Sequence, residues 1–125
     1  MGPEEKVKAA IRAAFVAADM IPASTAKRNW PENPTGWFYM PVQNGMGVTG
    51  IPDFIGCYKG VFLAVEAKAG KNTTSAQQDA RISEIAASGA HVIVAYSSEP
   101  VKYLLTNIDE TANDTAALRV GPESV

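Results

Sequence analysis

Asp53, Glu66 and Lys68 are the residues whose types and spacing could do chemistry. They bracket the stretch DFIGCYKGVFLAVEAK, whose interior is apolar enough to be core. Burying an unpaired charge is costly, so charges in such a segment are paired, bound to a metal or neutralised. The segment reads as two strands turning at Lys59-Gly60. Strand alternation then puts Glu66 and Lys68 on one face and Val65 and Ala67 on the other. Counted from the turn, position 53 falls roughly opposite position 66, which brings two carboxylates to about 5 Å. Like charges so placed destabilise a sheet unless something positive lies between them. Oxygen ligands at that spacing suit a hard divalent cation such as Mg²⁺ or Mn²⁺. Lys68 can set an ammonium beside the ion, to orient or deprotonate a water or to stabilise charge on a phosphate.

Two more residues lean toward the same place. Val7, Ile11, Ala14, Phe15 and Ala18 recur at helical spacing, and Glu4 falls on their apolar face near the helix start. Glu5 aligns instead with Lys8 and Arg12 on the wet side. Downstream, Ser75 and Gln78 have capping-box spacing, and Gln78 shares the face of Ile82 and Ile85. Its amide could reach the lysine or a water from the side. These parts together make a metal-dependent hydrolase centre for a phosphodiester.

The elements that must position them follow from pattern and punctuation. Residues Pro3 to Ala18 read as a helix, and the proline-rich Ile21 to Thr35 as a loop. GWFYMPVQ reads as a strand with an edge or bulge at Pro41, followed by the glycine-rich connector NGMGVTG. That connector precedes a strand rather than a helix, so it is not a phosphate-cradling loop. After the hairpin, a helix runs from Ser75 to a stop at Ser88-Gly89; HVIVAY reads as a short buried strand and SEPVKYLLTNI as a last helix. The expected order is helix, three strands, helix, strand, helix: an α/β fold with a small mixed sheet flanked by helices, the last two strands parallel neighbours. All 125 residues form one expected domain, with a core at about 4–108 and a polar, fraying tail over 109–125.

Composition narrows the class only loosely. Cys57 is the single cysteine, so there is no internal disulfide framework and no cysteine metal cluster, and it reads as an inert core residue. His91, the single histidine, reads as structural. The net charge of −2 counts mildly against a nucleic-acid partner, although Lys27, Arg28, Lys59 and Lys71 flank the proposed site and could hold phosphates. Phe38 and Tyr39 read as packing residues, with Trp30 and Trp37 open to packing or base stacking. The N-terminus MGPEEKVKAA lacks the apolar run of a signal peptide, and no stretch is long and apolar enough to span a bilayer. The expectation is a cytoplasmic protein with no membrane partner.

The same residues carry a family resemblance. Gly50-Ile51-Pro52-Asp53, Glu66-Ala67-Lys68 and Ser75-Ala76-Gln77-Gln78 resemble the pattern of the PD-(D/E)XK nuclease superfamily. Within it the closest likeness is to the virus-type replication–repair nuclease family, VRR-NUC, in its compact stand-alone phage form. The resemblance runs from about Glu4 to Tyr96 and is densest from Gly50 to Gly89. It implies a restriction-endonuclease-like core with Asp53, Glu66 and the Ala67 backbone carbonyl as ligands of Mg²⁺ or Mn²⁺. Lys68 would be the catalytic lysine and Gln78, rather than Gln77, the motif glutamine. Glu4 would match the acid many members carry on their first helix, with Glu5 adjacent as the other candidate. Members cut branched DNA, and the small ones resemble Holliday-junction resolvases acting as homodimers, which would place this chain in the host-cell cytoplasm if phage-encoded. A restriction-like or general DNA nuclease and a catalytically inactive DNA-binding module are the competing readings.

Overall fold

Pro3 at the first helical position and two acids in the first turn start α1, Pro3–Ala17, where a missing N–H costs nothing and the helix dipole favours negative charge. Ile11, Ala14 and Phe15 are its buried residues. The chain leaves α1 through Asp19, whose φ of 69° is left-handed. The computed structural model describes residues 1–118, with side chains through residue 111.

The segment expected to be all loop after α1 opens with a strand, β1, Met20–Pro22. It pairs in parallel with β2, Gly36–Tyr39, from Met20↔Gly36 to Pro22↔Phe38. Three residues are too few for a periodic signal, and burial of Met20 pins them to the sheet. As an edge strand β1 tolerates Pro22. A 3-10 turn over Lys27–Asn29 lies in the connection to β2. β2 ends ahead of Met40-Pro41, shorter than the expected strand.

β2 runs antiparallel to β3, Phe54–Tyr58, and β3 antiparallel to β4, Val61–Ala67. Lys59 and Gly60, with φ of 50° and 80°, make the hairpin turn, both in the left-handed region that a two-residue type I′ turn needs. The register runs from Tyr58↔Val61 to Phe54↔Val65, so its continuation sets Asp53 opposite Glu66 as the turn implied. After α2, Ala76–Ala87, comes β5, His91–Ala95, parallel to β4. The sheet order is β1-β2-β3-β4-β5, antiparallel at its centre and parallel at both edges. The protein is thus α/β, a five-stranded mixed sheet flanked by helices.

β5 is an edge strand, half-buried rather than buried, and His91 at its start is exposed. Helix α3, Glu99–Leu118, continues past the expected end at Ile108, so residues 109–118 of the expected tail are helical. The rest of that tail, 119–125, lies outside the described residues.

The two faces of the sheet are unequally covered. α1 and α3 cover one face, burying Phe15, Phe38, Phe54, Leu63, Val65, Val101 and Ile108 in one cluster. Phe15 stands at its centre, 5.0 Å from the Phe38 ring and 5.6 Å, edge-on, from Phe54. The other face carries Glu66, and α2, which has no fully buried residue, packs there against β5. Trp37 and Tyr39 lie on this face too, their rings 5.4 Å apart and tilted, both exposed. The expected packing role therefore holds for Phe38 and not for Tyr39. Cys57, opposite Trp37, is half-buried on this second face rather than in the main core.

Phe54 joins that core to the strand that Asp53 precedes, so Phe54→Ala should lower unfolding free energy by about 3–5 kcal/mol. A urea midpoint that barely moves would contradict the packing described.

Candidate metal centre

The centre lies at the open end of the β3–β4 hairpin. Glu66 is 2% exposed and Lys68 9%, and among the described residues they are the buried charged ones. Both sit in a run from Leu63 to Ala69 that is buried throughout, because β4 has β3 and β5 beside it and cover on both faces. Asp53, at the mouth of β3, turns its carboxylate back across the pair: Oδ2 accepts a 2.9 Å hydrogen bond from the Ala67 N–H. That bond fixes one oxygen of Asp53 and seats the carboxylate beside Glu66.

Gln78 reaches Glu66 from the second face. Ser75 caps α2 by accepting from the Gln78 N–H at 3.1 Å, while Gln78 Oε1 accepts from the Ser75 N–H at 2.9 Å. With its oxygen so committed, Gln78 turns its amide nitrogen outward and donates to Glu66 Oε2 at 3.0 Å. The capping box therefore aims the side chain. Gly50 makes the approach possible: with φ of 83°, a Cβ there would lie 2.4 Å from the Gln77 carbonyl. Arg81 anchors the same loop by donating to the Thr49 carbonyl at 3.1 Å. Gln77 is exposed.

Lys68 Nζ stands 3.6 Å from Glu66 Oε2. The other oxygen, Glu66 Oε1, has no hydrogen-bond partner, and it is the buried side-chain polar atom so stranded among the described residues. Burial first, and Asp53 second, push the Glu66 carboxyl up from 4.5 to about 7, with Lys68 opposing. A buried carboxylate oxygen without a donor, facing a second carboxylate, is the arrangement a hard cation relieves. The donor set therefore fits a divalent ion held by Asp53 and Glu66. Among the described residues no group of three or more His, Cys, Asp or Glu forms, so Glu4, half-buried on α1, joins no such cluster with these two.

α1 brings a cation instead. Lys8 Nζ lies 3.6 Å from Asp53 Oδ1 and 3.3 Å from Glu5 Oε1. Partial burial works against its charge, but Asp53, Glu5 and Glu4 outweigh it and raise its pKa. By helical spacing alone Lys8 falls on the wet side with Glu5. The available signal was its place one turn after Glu4, from which a long stem can reach inward.

The four residues expected to hold phosphates, Lys27, Arg28, Lys59 and Lys71, are scattered along the chain. Lys59 is at the closed end of the hairpin, away from the centre, ion-paired to Asp109 and 5.5 Å over the Tyr58 ring. Asp109 is held below the usual carboxylate range by that lysine. Lys27 and Arg28 lie in the 3-10 turn between β1 and β2, and β1 is three strands across from β4. Lys71 is exposed just beyond Lys68 and is the one of the four that chain continuity keeps close. No protein-family model matches the chain, and no curated protein or solved structure matches it significantly.

Because the Glu66 carboxyl titrates higher in the fold than in the unfolded chain, its contribution to stability is complete below about 4.5 and is lost as pH rises through about 7. The metal-free protein should lose up to roughly 3 kcal/mol across that window. Glu66→Gln should remove this slope in denaturant titrations; an equally steep decline in the variant would assign it to other groups.

Proposed function

We propose that this chain is a divalent-metal-dependent DNA endonuclease with a PD-(D/E)XK core of the VRR-NUC kind, selective for branched DNA. The observation that carries the reading is Glu66 Oε1, stranded without a donor beside Asp53 at the end of a buried strand. A buried acid kept only for packing would have its oxygens satisfied. Pro52-Asp53 and Glu66-Ala67-Lys68 supply the motif, and Gln78 ties it to α2.

Asp53, Glu66 and the Ala67 carbonyl would hold Mg²⁺ or Mn²⁺. The bound ion supplies Lewis acidity toward a scissile phosphate and lowers the pKa of its water. The chain's own groups do the rest. Gln78 and the Ala67 N–H fix one oxygen on each carboxylate, so neither acid is free to rotate away. Lys68, nearly buried beside Glu66, offers one positive charge to a water or to a phosphate whose charge is increasing. The chain is buried from Leu63 to Ala69, so most of the Lys68 stem is out of water. Two copies related by a two-fold axis would make the paired cuts that a four-way junction requires.

No helix among the described residues is long and apolar enough to cross a membrane. A labelled four-way junction incubated with Mg²⁺ should yield cut products that EDTA prevents, and should react faster than linear duplex. Equal rates on both would leave a general nuclease, and no cleavage of either would end the enzymatic reading. Lys68→Ala should lose at least about a hundredfold in rate while keeping a native circular-dichroism spectrum. Calorimetry should show weaker Mn²⁺ binding for Asp53→Asn, and undiminished affinity would remove that residue from the ligand set.

A further inference from the structure

Of the four carboxylate oxygens at the centre, two accept a hydrogen bond and a third faces an ammonium just beyond hydrogen-bond distance. Asp53 Oδ2 has the Ala67 N–H, and Glu66 Oε2 has Gln78 with Lys68 nearby. Asp53 Oδ1 faces Lys8 Nζ at 3.6 Å. Only Glu66 Oε1 is bare. The two main-chain and amide donors are locked by secondary structure: Ala67 ends β4, and Gln78 is held by the capping box. Lys8 is different. It comes from α1, on the other side of the sheet from α2, at the end of a flexible stem, and it already divides its charge between Asp53 and Glu5.

We propose that Lys8 is the resident counter-ion of the metal centre, holding Asp53 while no metal is bound and opposing the entry of a divalent cation. This rests on the metal-dependent reading above and adds a residue that sets the affinity of the site. A cation taking Asp53 Oδ1 must either displace the ammonium or bind with a like charge a few ångströms away. Displacement has somewhere to go. Lys8 lines an open cleft of about 280 Å³ with Glu5, Arg12 and Met40, and Glu5 retains it there. Asp53 is thereby not left without a counter-charge, and a threshold of metal concentration is built into α1. Lys68 does not duplicate this role, because it pairs with Glu66 and not with Asp53.

Two readouts test the proposal, both without DNA. In Mn²⁺ calorimetry Lys8→Met should bind at least tenfold more tightly than the parent chain, since a like charge this close shifts ionic equilibria by one or more logarithmic units. Lys8→Arg, which keeps the charge, should stay within about threefold of the parent. Thermal melts in EDTA should show Lys8→Met melting below the parent, and saturating Mn²⁺ should close or reverse that gap. Lys6→Met, exposed on the same helix and outside that cleft, should change neither reading. Parent-like or weaker Mn²⁺ affinity in Lys8→Met overturns the proposal, as does an equal tightening in Lys6→Met, which would mean a general field effect. The parent chain separates this failure from that of the function. Mn²⁺ binding that Asp53→Asn weakens but Lys8→Met leaves alone removes only the counter-ion role, whereas no Mn²⁺ binding by any of these chains removes both readings.

Discussion

Glu66 is a carboxylate held almost entirely out of water, opposite a second carboxylate, in the best-protected strand of the sheet. Desolvation and like-charge repulsion both act against its ionised form. Much of the surrounding architecture offsets that opposition, because each neighbour supplies a donor or a positive charge: the Ala67 N–H to Asp53, the Gln78 amide and Lys68 to Glu66, and Lys8 to Asp53. The compensation is incomplete by one oxygen. The proposed function rests on that oxygen.

The way these donors are held matters as much as their number. Gln78 belongs at once to a helix start and to the centre, so the angle at which α2 leaves its loop is coupled to the position of Glu66. α2 buries little of its own surface, and its seating depends on the Gly50 approach and on Arg81 gripping the Thr49 carbonyl. The opposite face has no such economy. There α1 and α3 close over a cluster of aromatic and aliphatic side chains that gives the sheet its rigidity. One face thus supplies stability and the other carries polar chemistry beside the exposed Trp37 and Tyr39.

Much of the centre was legible because it depends on short-range geometry. Lys59-Gly60 dictates a tight turn, a tight turn dictates register, and register places 53 against 66. Ser75 and Gln78 announce a helix start through three-residue spacing, and that same spacing orients the glutamine. Harder to read were features in which one element meets another distant in sequence. β1 exists because Met20 finds a place beside Gly36 and in the core, not because three residues have a period. Lys59 is near the acids in sequence, yet α3 brings Asp109 to it at the closed end of the hairpin.

Turn chemistry and strand alternation therefore determined by themselves that two acids and a lysine would converge, and the capping box that Gln78 would be held at the start of α2, since each rule acts over a few residues of backbone. The tertiary structure decided which further charge would join them. Helical projection gives the direction of Glu4 and Lys8 but not the reach of their stems or the distance at which α1 packs on the sheet. That packing is set by Ile11 and Phe15 entering the core, and it leaves Lys8 within range of Asp53 while drawing Glu4 into no cluster of acids there.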